Sequence, residues 1–332
     1  MKSLIKNIPC RIQGMFFIKN ILLFAGICYV VKYIEYIFSY HCKCVKKSII
    51  LRKPAEIRKY SSISIISQRL ESRDFLFPYL VGLIEGDGWF TISKKGKYVM
   101  YELGIELSIK DVQLLYKIKS ILGVGTIFFR KKERIEKSLS NRDDTVIYRI
   151  RNKSHLLRII IPIFEKYPMF TSKQFDFIRF RTYLLLNVIY SKDLLPYNRP
   201  KIYFNSIDTI INSYYFPFWL IGFIEAEGCF SVYKPKNDSS LIGSFEISQT
   251  NEKLIILAIK RYLNLTGNVR VDSTNNFKLK VSSIRNVENV IKFMYLVPIK
   301  LKGNKKLQYL LWLKKLRIIP RYYKKINIPL DY

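Results

Sequence analysis

Apolar and polar positions along this chain fall into one order of elements that is played twice. A mostly apolar stretch, Pro78–Phe90 (PYLVGLIEGDGWF), gives way to a period of two over Trp89–Ser93 and again over Tyr101–Ile109, with Lys94–Lys97 between them. That alternation predicts two strands joined by a turn. Asp111–Leu122 carries Val112, Leu115, Ile118 and Leu122 at helical spacing, and Gly123 ends it. Thr126–Arg130 and Val146–Ile150 are expected to pair as a second hairpin across a charged loop. Ser154–Tyr167 and Ser172–Ile189 read as helices, the first with Ser154 as N-cap. The second half follows the same order. An apolar stretch leads to strands at Phe230–Tyr233 and Gly243–Ser248 and a helix at Asn251–Leu265. A hairpin of Asn268–Asp272 with Phe277–Val281 and helices at Asn286–Tyr295 and Lys305–Leu316 complete it.

The predicted class is therefore α+β: two pseudo-symmetric αββαββα repeats, each with a twisted antiparallel sheet. Residues 1–73 form an N-terminal extension, 74–212 the first repeat with its linker, and 213–332 the second repeat. Pro196 and Pro200 favour an extended path for the linker Tyr190–Tyr215.

The stretch that opens each half is nearly the same. Pro217–Phe230 reads PFWLIGFIEAEGCF, and Gly82 and Gly222 lie 140 residues apart, as do Asp87 and Glu227. Such a separation is far beyond a solenoid unit, so two copies of one small domain are expected. Pro78 and Pro217 suit a first helical turn, and Gly88 and Gly228 suit a left-handed stop just past the end. Gly82 shares a face with Gly86, and Gly222 with Ala226, so two helices would meet closely along Gly82 and Gly222. Asp87 and Glu227 then fall together at the negative ends of their helices, where each carboxylate is disfavoured and repels the other. A bound cation removes that penalty. The carbonyls of Gly86 and Ala226 would add oxygen ligands, and an all-oxygen set suits Mg²⁺, or Mn²⁺.

LVGLIEGDG (Leu80–Gly88) and LIGFIEAEG (Leu220–Gly228) resemble the two motifs of a monomeric LAGLIDADG homing endonuclease. Glu85 and Glu225 fill the earlier acidic position of the motif. The resemblance spans roughly Asp74 to Arg317. It implies a saddle-like fold that binds double-stranded DNA and cleaves both strands, leaving 3′ overhangs at a long, degenerate target. Asp87 and Glu227 would be the catalytic, metal-holding acids over the two scissile phosphates. Basic residues near the acids are also implied, and Lys173, Lys302 and Lys305 are the candidates. The same fold supports an RNA maturase acting on intron RNA, and a DNA-binding protein that has lost cleavage is a third reading.

Charge agrees with a polyanionic partner. Lys and Arg number 57 against 25 acids, a formal net charge of +32, more than solubility requires. In Arg149-Ile150-Arg151 and Lys278-Leu279-Lys280, basic and apolar residues alternate, which puts the bases on one sheet face and the apolar residues on the core. Arg130, Lys131, Lys132, Lys234 and Arg270 add to those faces, so a DNA-facing sheet is expected in each half. The 24 Tyr and 22 Phe in a Lys- and Ile-rich chain suit an AT-rich genome such as an organelle's, and the expected location is the mitochondrion.

In residues 1–73, the apolar run Ile21–Val31 is too short for a stable membrane span. Lys2, Lys6 and Arg11 ahead of it resemble a targeting region, and an extension translated from upstream sequence is the alternative. Five cysteines without framework spacing fit a reduced setting, and His41-Cys42-Lys43-Cys44 lacks the second ligand pair that zinc requires.

Overall fold

In the computed structural model of the chain, residues 65–130, 144–200, 205–235, 240–330 and 332 are described, with backbone alone for 65–73. The readings made for the N-terminal run, for the Cys42/Cys44 pair and for Lys131 and Lys132 lie outside the described residues. Ile65–Tyr332 forms one compact unit.

The first half comprises α1 (Ile65–Asp87), β1 (Gly88–Lys95), β2 (Tyr98–Ser108), α2 (Val112–Leu122), β3 (Thr126–Arg130) and β4 (Thr145–Ile150). It continues with α3 (Lys153–His155), a π-helical turn (Leu156–Ile160), α4 (Ile161–Lys166) and α5 (Lys173–Leu185). A short helix, α6 (Ile207–Ile211), lies in the linker. The second half comprises α7 (Phe216–Glu227), β5 (Gly228–Tyr233), β6 (Ile242–Thr250), α8 (Lys253–Tyr262), β7 (Val269–Val271), β8 (Asn276–Val281), α9 (Ile284–Leu296), α10 (Asn304–Leu316) and α11 (Pro320–Tyr323). Each half folds its strands into one antiparallel sheet, in the orders β1-β2-β4-β3 and β5-β6-β8-β7.

The α1/α7 pair is the centre of the molecule. Tyr79, Leu80, Val81, Leu83 and Ile84 of α1 are buried, as are Phe216 and the whole run Trp219–Ile224 of α7. A helix that is apolar all round must be covered all round, and the two halves supply the cover. The sheets bury one face each. Leu103, Ile105, Val146, Tyr148 and Ile150 point inward in the first, and Phe245, Ile247, Leu279 and Val281 in the second. The residues between them point outward.

Several local expectations are corrected. Pro78 lies inside α1, which begins at Ile65; it forgoes a helical hydrogen bond, and the burial of the neighbouring residues against α7 offsets that loss. Pro217 does open its helix. Gly88 and Gly228 are not left-handed stops. Gly228 is extended (φ −74°, ψ 150°) and both residues begin strands. Their small size has another cause: a β-carbon at Gly88 would stand 2.9 Å from the Ile84 backbone, and one at Gly228 2.7 Å from Ile224 O. The N-cap ahead of α3 is Asn152, whose side chain accepts from His155 N, and not Ser154. Gly123 is the left-handed stop that was expected, with φ 69°.

Candidate active site

The two motif helices meet backbone to backbone. A β-carbon at Gly82 would stand 2.0 Å from Trp219 O, one at Gly222 1.8 Å from Tyr79 O, and one at Gly86 2.3 Å from the β-carbon of Ala226. Only glycine allows that approach, which carries the helix ends, and with them Asp87 and Glu227, to one place. Glu227 Oε1 lies 3.5 Å from the point a Gly86 β-carbon would occupy.

Both acids are held above the usual carboxylate range. Burial raises Asp87 to about 6, opposed by Lys173 and Lys305 and assisted by Asp111. Burial raises Glu227 to about 7, the charge of Asp87 adds to it, and the same two lysines oppose it. Two desolvated carboxylates, the second raised further by the charge of the first, form a fit site for a hard divalent cation. Among the described residues no cluster of three His, Cys, Asp or Glu side chains gathers to hold a metal. A cation there would complete its shell with carbonyls, water and phosphate oxygens, which is the habit of Mg²⁺.

The lysines enter from the first turns of α5 and α10. Lys173 Nζ donates to Ile84 O (3.1 Å), Gly86 O (3.2 Å) and Gly88 O (2.6 Å). Lys305 Nζ donates to Gly228 O (2.6 Å). Ile84 and Gly86 lie in the last turn of α1, where a helix leaves carbonyls short of partners, and Gly88 and Gly228 are the first residues of the strands that follow. The carbonyl of Gly86, expected to face a metal, thus accepts from an ammonium, while Ala226 lines a cleft of about 180 Å³ shared with Asp87, Asp111 and Lys305. Burial lowers the Lys173 pKa. Lys302, the other candidate, is placed differently. Its ammonium sits 6.0 Å from the Tyr79 ring among the charges of Lys117, Glu225 and Lys306, while the lysines whose charge acts on Asp87 and Glu227 are Lys173 and Lys305. Its backbone N–H is what serves the site, donating to Glu225 Oε2 at 2.6 Å.

The role of Glu85 and Glu225 was not legible from sequence. Glu85, wholly buried, accepts from Thr171 N and from Trp219 Nε1 (2.6 Å). Glu225 accepts from Lys302 N, from Gly303 N (3.2 Å) and from Tyr79 OH (2.8 Å). Each carboxylate ties the loop ahead of its own half's lysine to the motif helix of the other half. Burial raises Glu85 to about 7, against the hydrogen bonds it accepts.

The family profile described as LAGLIDADG endonuclease matches residues 80–184 and 220–316, so both motifs and most of both halves are covered. The chain belongs to the LAGLIDADG endonuclease family. Among curated relatives, the probable intron-encoded endonuclease Cox1-I1b of Schizosaccharomyces pombe is 29% identical over 82% of this chain and 73% of its own length. The probable intron-encoded endonuclease aI3 of Dictyostelium citrinum is 30% identical over 65% of this chain and 86% of its own. Among solved structures, the LAGLIDADG homing endonuclease I-SmaMI bound to cleaved DNA is 23% identical with a TM-score of 0.59, covering 75% of this chain and 94% of that one. The fold is thus that of LAGLIDADG homing endonucleases.

In this LAGLIDADG protein the outward sheet faces carry expected bases, and Arg130, Arg149, Arg151, Lys278 and Lys280 are each paired with a carboxylate. In the first half Glu102 accepts from Arg151 Nε (2.5 Å) and Trp89 Nε1 (3.1 Å) and lies 3.8 Å from Arg149 Nη1. The Arg149 guanidinium stacks 3.7 Å from the Phe128 ring. Arg130 pairs with Glu106. In the second half Lys278 and Lys280 share Glu246 at 3.4 and 3.5 Å; Arg270 lies opposite Lys278, and Lys234 is exposed just past β5. The basic pairs occupy corresponding strands but not corresponding positions. Lys280 pairs with Glu246, whose counterpart Glu106 pairs with Ile147; Arg149 pairs with Gly104 instead. The two faces are therefore chemically different.

Proposed function

We propose that the protein is a site-specific homing endonuclease that binds double-stranded DNA as a monomer and cuts both strands. One observation carries this: two acid–lysine sets, Asp87 with Lys173 and Glu227 with Lys305, stand about one pseudo-twofold axis between two basic sheet faces. A duplex has two scissile phosphates related by a similar axis, and one chain supplies a set for each. The two repeats, 74–212 and 213–332, would each cover one half-site.

Asp87 and Glu227 would hold the divalent metal, Mg²⁺ or Mn²⁺. When bound, that cation supplies activation of water and neutralises charge on the phosphate. Lys173 and Lys305 fix the carbonyls where each motif helix becomes a strand, and so fix the carboxylates. Their charge also favours the ionised form of both acids, against burial. The sheet faces hold the duplex through phosphate and base contacts. A mitochondrial setting is supported by a 26%-identical relative named as a mitochondrial protein of Saccharomyces cerevisiae and by the intron-encoded relatives.

The test is cleavage, with Mg²⁺, of a plasmid carrying the uninterrupted sequence that flanks the gene. Double-strand cutting that Lys173→Met and Lys305→Met each reduce, and Lys302→Met does not, supports the assignment. Intact plasmid alongside rescued intron splicing selects a maturase instead.

A further inference from the structure

Asp111 and Glu252 stand at the N-cap positions of α2 and α8, yet neither side chain caps its own helix. Both reach across the pseudo-twofold axis. Asp111 of the first half accepts from Asn304 N at 2.6 Å, at the start of α10 in the second half. Glu252 of the second half accepts from Ser172 N at 2.8 Å, at the start of α5 in the first half. In each case the next residue along the chain is the lysine that grips the end of a motif helix. From this we infer that Asp111 and Glu252 are positioning residues that cap the lysine helix of the opposite half, so that each lysine is set by both halves at once. The inference rests on the endonuclease reading above.

Three details support it. A helix begins with free N–H groups, and a carboxylate aimed at them is favoured by both the hydrogen bond and the helix dipole. Gly303 leaves the space for one of these caps: a β-carbon there would stand 2.4 Å from Asp111 Oδ1 and 3.0 Å from Glu225 Oε1. The second copy departs from simple repetition. The residue 140 positions after Asp111 is Asn251, which takes a left-handed conformation (φ 63°), and the cap comes from the longer side chain of Glu252 one position later. The contact is kept although the register is not. With the same-half ties from Glu85 and Glu225, each lysine loop is held by two carboxylates, one from each half.

The consequence is a crossed dependence, read first by amide hydrogen exchange on the full chain. Glu252→Ala should speed exchange at Ser172 and Lys173 and leave Asn304 and Lys305 protected, and Asp111→Ala should do the reverse. Single-turnover cleavage of an end-labelled duplex then reads each strand separately. Glu252→Ala should slow, by about tenfold, the strand that Lys173→Ala slows, and should add nothing in a Lys173→Ala background. Asp111→Ala should behave likewise toward Lys305. Glu252→Gln and Asp111→Asn, which keep an accepting oxygen, should restore most of the rate. Uncrossed exchange, equal slowing of both strands at unchanged DNA affinity, or additivity with the lysine variants would overturn the inference. Crossed exchange in a wild-type protein that cuts no DNA would instead remove the endonuclease reading, and with it any positioning role in cleavage.

Discussion

The indole of Trp219 donates to the carboxylate of Glu85 at 2.6 Å, in a place that solvent does not reach. The bond joins the second motif helix to the first. Trp219→Phe keeps most of the ring packing and strands one buried carboxylate oxygen. The variant should lose about 1–3 kcal/mol of stability, seen as a lower urea midpoint with unchanged slope. An unchanged midpoint would mean that this bond does not hold the halves together.

The glycine contacts make a second, sharper case. Gly82→Ala adds one carbon, but that carbon would stand 2.0 Å from Trp219 O, which is backbone and has no rotamer to retreat to. The helices must separate, so the variant should fold poorly and lose cleavage. Gly96→Ala is the contrast for space. Nothing lies within 4 Å of its added carbon, and only its left-handed backbone (φ 59°) resists, at about 1 kcal/mol. Circular dichroism melts of the pair should differ widely; similar melts would place the helix contact elsewhere.

The acids predict a pH signature. Asp87 rises from 3.8 to about 6 and Glu227 from 4.5 to about 7 on folding. A raised carboxylate pKa disfavours the native state, by nothing below the unfolded value and in full above the folded one. With Mg²⁺ present, Asp87→Asn and Glu227→Gln should abolish double-strand cutting and leave DNA binding largely intact. Without metal, each should stabilise the fold at pH 8 by about 1–2 kcal/mol after allowing for partial exposure. As pH falls to about 3, below both unfolded values, the gain should vanish. Thermal melts across that range in chelator decide it, and a gain that is the same at both ends would show that the acids are not strained by their site.

The sheet faces predict divided labour. Arg149→Ala and Arg151→Ala should alter recognition of one half-site, and Lys278→Ala and Lys280→Ala the other. Arg149 is held between Phe128 and Glu102, so its loss should relax specificity at one position by about 1–3 kcal/mol. Lys278 and Lys280 are half exposed on flexible stems, and each should lower the salt slope of log K by about 0.9. A target library profiled with the four variants tests this; overlap of the two sets on one half-site would refute it.

What the sequence determined by itself were the features that short range dictates. Strand alternation placed β3 at Thr126–Arg130, and helical spacing with Gly123 ended α2 at Leu122, because pleat and helix period depend on near neighbours only. The doubled motif gave the pseudo-symmetry and, through the small residues Gly82, Gly86, Gly222 and Ala226, the helix contact that brings Asp87 to Glu227. Pro78 misled, because its intrinsic preference for a first turn was overruled by the burial of α1 against α7. The tertiary structure alone decided which lysine faces the acids: Lys302 and Lys305 are three apart on a loop and a helix start, and only the direction of that helix separates them. It also decided that Glu85, Glu225, Asp111 and Glu252 bind backbone N–H groups far away in sequence. A carboxylate carries no mark of its partner in its neighbours; the partner is chosen by which helix start the fold brings within about 3 Å.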